Sequence, residues 1–258
     1  MLSDPIALFS TLTALPAGDL LFLCAVAFCA GVVRGFSGFA LSALVMATGT
    51  AILPPVALIP ALWFLEMTAS ILMVRGGIAE SDRGVVAGLV IGATVGTPIG
   101  LAVTTTVSPA LSALIALVII IVLAVTQLAR IRFAFLSTRP GLLIAGVTSG
   151  IVSGLASVGG MVVALYVLAR EAPARQMRAS LVMFLFISSV GSAIFLMLYG
   201  LWDRSTVMLG LTLSIPTGVG VLIGQRIFIP SLERYYRPFC LLLLIGLASA
   251  GLLRRLII

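Results

Sequence analysis

An arginine stands alone among apolar residues in Arg34-Gly35-Phe36-Ser37-Gly38-Phe39, within a run from Leu20 to Thr50 that carries no other charge. At membrane depth such a guanidinium costs about 2.5–3.5 kcal/mol even on insertion scales. Gly35 and Gly38 permit the backbone to break, and a new helix start leaves unpaired N–H groups. A guanidinium with free N–H donors is chemistry for holding an oxyanion. A second reading is open at this point, in which Arg34 marks a short first helix ending near the interface and snorkels. The segment Ser153-Gly154-Leu155-Ala156-Ser157-Val158-Gly159-Gly160 has the same small, flexible character with hydroxyls and no charge. It reads either as a second break facing the first, with Arg34 supplying the asymmetry, or as a close helix contact made by small residues.

The candidate substrate-binding residues are therefore Arg34, Gly35, Phe36, Ser37 and Gly38 in the first segment, and Ser153, Ser157, Gly159 and Gly160 in the second. Glu66, in Trp63-Phe64-Leu65-Glu66-Met67, is a carboxylate inside another apolar span. It reads as a proton or ion coupling group, or as the neutralising partner of Arg34. Thr126, Gln127, Gln225 and Arg226, near span ends, are weaker signals.

Catalytic readings fare poorly. Gly35-Phe36-Ser37-Gly38 has the Gly-x-Ser-Gly form of intramembrane serine proteases, but those need a histidine base and the chain has none. The acidic residues do not gather as paired carboxylates, and Cys24, Cys29 and Cys240 lack metal-ligand spacing. No enzyme activity, metal or cofactor is expected.

The elements that carry these residues follow from composition. Of 258 residues, 61% are hydrophobic and only 9% charged, against roughly 25% charged in soluble domains. Apolar stretches of about 20 residues cross a bilayer as helices, and such stretches follow one another here. They run over Leu20–Thr50, Pro55–Val74, Gly84–Val103, Ala110–Ala129, Gly141–Ala169, Ala179–Tyr199, Thr206–Gly224 and Pro238–Leu253. Strand alternation is absent. The fold class is an all-α integral membrane protein of about eight apolar segments. Met1 to Pro5 lack the positive start of a signal peptide, so the first segment is expected to be retained. The net charge of +7 comes with arginine throughout and no lysine. In short loops this orients a chain in a membrane rather than marking a nucleic-acid partner.

The chain also repeats. Gly31-Val-Val-Arg-Gly35 resembles Gly150-Ile-Val-Ser-Gly154 at an offset of 119. Met73, Gly76, Gly96 and Gly100 meet Met197, Gly200, Gly220 and Gly224 at an offset of 124, and Pro109 meets Pro230 at 121. Two homologous halves, 1–135 and 136–258, are expected within one membrane domain, each a long Gly-rich segment followed by three ordinary spans. Leu20–Thr50 would measure about 46 Å as one helix, longer than the roughly 30 Å hydrocarbon core. It must tilt strongly or break and return. If both long segments are broken hairpins, eleven of the fifteen arginines fall on one side, as the positive-inside rule favours. Each half then crosses three times, which makes the repeats inverted. Pro98 and Pro216 suggest kinks in corresponding halves.

This pattern resembles the sulfite exporter TauE/SafE family over nearly the whole chain. The resemblance is carried by the two halves opening at Gly31–Gly38 and Gly150–Gly160, by Arg75-Gly76-Gly77-Ile78, and by the Gly92, Gly96, Gly100 series. The family's glycine signature survives as Gly35 and Gly38 in one copy and Gly154, Gly159 and Gly160 in the other. The resemblance implies a secondary transporter exporting a small sulfur anion, sulfite or an organosulfonate such as sulfoacetate, from a bacterial inner membrane. An anion channel and an exporter of a non-sulfur carboxylate are the alternatives. The partners implied are the small anion and the lipid bilayer; homo-oligomerisation is left open.

Overall fold

The computed structural model describes residues 13–131, 134–170, 174–227 and 233–257. Met1–Pro5, Pro230 and Arg132, on which some sequence expectations fall, lie outside them. Ten α-helices and no strands are found among the described residues. They are α1 (Ala17–Ser37), α2 (Leu41–Gly49), α3 (Pro55–Glu80), α4 (Arg83–Thr106), α5 (Pro109–Leu128), α6 (Arg139–Ala156), α7 (Gly159–Ala169), α8 (Ala174–Leu198), α9 (Arg204–Ile227) and α10 (Glu233–Ile257), with a 3₁₀ turn at Ala134–Ser137. Eight of them are long and apolar enough to cross a membrane. The chain is an all-α, multi-pass membrane protein.

The connections that set these helices use ordinary start signals. Asp82 and Ser108 accept from Val85 N–H (3.1 Å) and Leu111 N–H (3.3 Å) to cap α4 and α5, and Thr138 caps α6 through Gly141 N–H (3.1 Å). Pro55 and Pro109 occupy first-turn positions, where a missing N–H is harmless.

Both long apolar segments are broken. The first divides after Ser37: Gly38 (φ 80°) and Ala40 (φ 73°) both adopt the left-handed region. That conformation costs a residue with a Cβ roughly 1–2 kcal/mol, so Gly38 suits the break and Ala40 must be held there by its surroundings. The second divides at Ser157 (φ 57°). The half-helices beyond the breaks have nine and eleven residues, about 14 and 17 Å at 1.5 Å per residue. Neither can span the bilayer. α2 turns back along α1, bringing Gly49 against Leu23 and Leu58.

The sequence offsets reappear in the packing. α1 lies along α9 as α4 lies along α6, and both pairs run parallel. Gly35 meets Val221 and Gly224, as Gly154 meets Thr97 and Gly100; Gly220 meets Phe28 and Val32, as Gly96 meets Val147 and Ile151. Each residue in one contact is 119 or 124 positions from its counterpart in the other. At these crossings a methyl group would strike a backbone carbonyl of the facing helix, so small residues allow backbone-to-backbone approach. The opposite face of α4 (Ile91, Val95, Ile99) is apolar and exposed, as a lipid-facing surface must be. α3 packs on α8 and α5 on α10, while α2 touches α10 and α7 touches α5. Exchanging the two halves maps these pairings onto themselves.

Candidate anion site

The break after α1 positions a charged centre. Arg34 lies in the last turn of α1, four residues before Gly38, rather than at a new helix start as the glycine spacing suggested. Its side chain is fully buried. One guanidinium nitrogen, Nη1, donates to the carbonyl of Gly38. The other, Nη2, lies 3.3 Å from Glu66 Oε2 and donates to Ser70 Oγ at 3.3 Å. Nε, also buried, has no hydrogen-bond partner. The N–H groups freed by the break belong to α2. Ser42, in its first turn, donates to Glu66 Oε1 from its hydroxyl (2.7 Å) and from its backbone N–H (3.4 Å).

The donors expected around an oxyanion are therefore assembled, and they hold the carboxylate of Glu66. Of the two readings open for Glu66, its pairing with Arg34 is the contact observed. Arg34 does not snorkel to an interface: with Glu66 it sits inside the helix packing. Glu66 lies roughly midway along the apolar stretch Pro55–Arg75 of α3.

The other residues of the first segment support the break. Ser37 Oγ is 2.7 Å from Val33 O and accepts from Phe39 N–H at 3.3 Å, tying the end of α1 to the turn. Gly35 is packed against α9, and its carbonyl accepts from Arg178 of α8. The aliphatic part of Arg178 lies directly over Gly38, where a Cβ would meet its Cγ at 2.9 Å. Phe36 is half-buried on α1.

At the second break, Ser157 N–H donates to Ser153 O (2.8 Å) and Ser149 Oγ donates to Gly159 O (2.8 Å). Ser153 and Ser157 line a cavity of about 50 Å³ together with Glu66, Thr97, Ser188 and Ser192. Glu66 is thus the residue through which the two breaks meet: it contacts the first and faces the second. Gly159 and Gly160 do not line this cavity; they pack against Ser149, Ser153 and Leu185. Trp63 lines it too, donating to Ser189 O at 2.7 Å and lying edge-on to Trp202 with ring centroids 4.9 Å apart.

A larger cavity of about 540 Å³ lies between α3, α8 and α9, lined by Arg75, Arg175, Arg178, Glu80 and Gln225 among others. It reaches the first break through Arg178. An ion pair between Asp82 and Arg170 (3.5 Å) ties the α3–α4 turn to the end of α7, so Arg83 and Arg170 lie at the same end of the helices.

Sequence reasoning did not single out Ser42, Ser70, Arg178 or the α8 serines. Ser188 and Ser192 had a signal, being four residues apart and so on one face of a helix. Ser42 had none, since its role depends on where α2 begins.

A charged centre buried at a helix break, with a cavity on either side, is the construction of a membrane transporter for a small solute. The chain belongs to the sulfite exporter TauE/SafE family, whose match covers residues 23–250. With that membership it is a membrane exporter of a small anion. No curated protein and no solved structure matches the chain.

Proposed function

We propose that the protein exports a small sulfur oxyanion, sulfite or an organosulfonate such as sulfoacetate, by alternating access across a bacterial inner membrane. The observation that carries this reading is the buried Arg34 guanidinium, which together with the first turn of α2 already holds a carboxylate. A sulfonate presents the same kind of oxygens to the same donors. The basic cavity collects the anion on the cytoplasmic side, where its arginines raise the local anion concentration. The Arg34 centre binds it, and the hydroxyl-lined cavity at Ser153 and Ser157 receives it on the way out. Movement of one negative charge out of a cell that is negative inside is favoured by about 2.3 kcal/mol per 100 mV.

The halves 1–135 and 136–258 act in this scheme as inverted repeats. The support is the parallel packing of α1 on α9 and of α4 on α6, the return of α2 along α1, and the Asp82–Arg170 ion pair that puts the start of α4 and the end of α7 at one end. Rocking of one half against the other would open the centre alternately to the two cavities.

Reconstituted vesicles separate this reading from a channel. A carrier gives saturable sulfoacetate uptake and counterflow from preloaded vesicles, whereas fast, unsaturable flux would establish a channel instead. A carboxylate such as acetate accumulating in preference to every sulfur anion would move the substrate class away from sulfonates.

A further inference from the structure

We propose that Glu66 is a tethered competitor for the transported anion: its carboxylate occupies the oxyanion position, and substrate binds by displacing it. The inference rests on the reading of Arg34 as the anion site. Three groups converge on this one carboxylate: the hydroxyl and backbone N–H of Ser42 donate to Oε1, and the Arg34 guanidinium lies 3.3 Å from Oε2 as an ion pair without a hydrogen bond. A sulfonate at the break needs those same donors, and two anions cannot share them without like-charge repulsion.

The surroundings give the displaced side chain a destination. Glu66 faces the hydroxyl-lined cavity, so a rotation away from Arg34 leaves it among Ser153, Ser157, Ser188 and Ser192. Those hydroxyls can donate to it. The guanidinium, for its part, is incompletely used by Glu66, because its Nε has no hydrogen-bond partner. An incoming anion with three oxygens can engage more of that edge than one carboxylate oxygen does.

Charge balance adds a proton. Arg34 and Glu66 together are neutral. From α1 Glu66 is faced by Arg34, from α2 by Ser42, from α4 by Thr97, from α6 by Ser153, from the break after it by Ser157, and from α8 by Ser188, Ser189 and Ser192. Glu66 is the one charged side chain lining its cavity among the described residues. An anion on Arg34 beside an ionised Glu66 would leave an uncompensated negative charge in a low-dielectric site. For a sulfonate carrying one negative charge, uptake of one proton by the Glu66 carboxylate restores neutrality, so anion binding is linked to proton uptake.

The test is the affinity of purified wild type and Glu66→Gln, across pH 6–8.5, for isethionate, a sulfonate that carries one negative charge throughout that range. Glu66→Gln removes the competing charge with little change of shape. The expected result is at least tenfold tighter binding in Glu66→Gln at pH 7.5. Wild-type affinity should strengthen toward low pH while that of the variant stays flat. Because the variant leaves Arg34 unpaired, thermal unfolding with and without isethionate is measured alongside, and the ligand should raise Tm more in the variant than in wild type. Wild-type binding with equal or weaker binding by Glu66→Gln would overturn the competitor role while leaving the anion site standing. A pH-independent wild-type affinity would overturn the proton linkage. Absence of binding in both proteins would overturn the anion-site reading and this inference with it.

Discussion

Arg34 and Glu66 form a buried ion pair 3.3 Å apart. Removing one member of a buried ion pair leaves an uncompensated charge, typically at a cost of about 3–5 kcal/mol. Arg34→Ala should therefore lower thermal stability markedly at neutral pH, and adding Glu66→Gln should recover much of the loss. A double-mutant cycle in Tm checks this: additive losses would show that the two side chains are not coupled. Arg34→Lys should behave differently again. A point charge on a flexible stem replaces a planar fork, so the fold should persist while anion affinity falls roughly tenfold, about 1.4 kcal/mol. The type of this centre was readable in the sequence because charges are costly inside apolar spans, and an arginine and a glutamate there must pair or serve a solute path. Its geometry was not. The break fell at Gly38 to Ala40 instead of beginning at Gly35, because Gly35 is needed for the α9 contact. That shift moved the free N–H donors from the neighbourhood of Arg34 to Ser42.

At the scale of elements, the glycines divide into those that admit a neighbouring backbone and those that do not. Gly100 faces Ile151 and Gly154 with no room for a methyl group, whereas Gly191 of α8 has nothing within 4 Å of an added Cβ. Gly100→Ala should destabilise by about 1–3 kcal/mol through overpacking. Gly191→Ala should be neutral or stabilising by up to about 1 kcal/mol through helix propensity. Thermal unfolding of the two variants in the same detergent checks the contrast, and equal effects would count against the parallel helix crossing. The start of α9 offers a pH-dependent case. Ser205 donates from its hydroxyl to Asp203, and Thr206 N–H donates to the same carboxylate (3.1 Å), holding the Asp203 carboxyl below its ordinary value. Its folded pKa is depressed, so the stabilisation is present above the unfolded value, about 3.9, and is lost as pH falls through the folded value. Asp203→Asn should remove that acid sensitivity, measurable as amide exchange of the first turn of α9 between pH 5 and 3. The spans themselves were readable from hydropathy, and the pairing of α1 with α9 was implicit in the offsets of 119 and 124. The direction of α2 was not, since hydropathy records that a segment is apolar and not that it returns.

Across the whole molecule the charged centre lies between the arginine-lined cavity at one end and the Trp63–Trp202 contact toward the other. In a background with Cys24, Cys29 and Cys240 replaced, Gly84→Cys and Arg139→Cys should be labelled by a membrane-impermeant thiol reagent from the same side. Gly18→Cys and Arg204→Cys should be labelled from the other. Labelling of Gly84→Cys and Arg139→Cys from opposite sides would contradict the inverted arrangement. The central claim, that a small anion is held at Arg34 on its way out of the cell, is tested most directly by ligand binding to purified protein. Sulfite, sulfoacetate, isethionate and taurine are titrated into wild type, Arg34→Ala and Arg34→Lys, each shown by thermal unfolding to be folded. Wild type should bind at least one of the sulfur anions, Arg34→Ala should lose that binding, and Arg34→Lys should keep part of it. Unchanged affinity in both variants would contradict the claim.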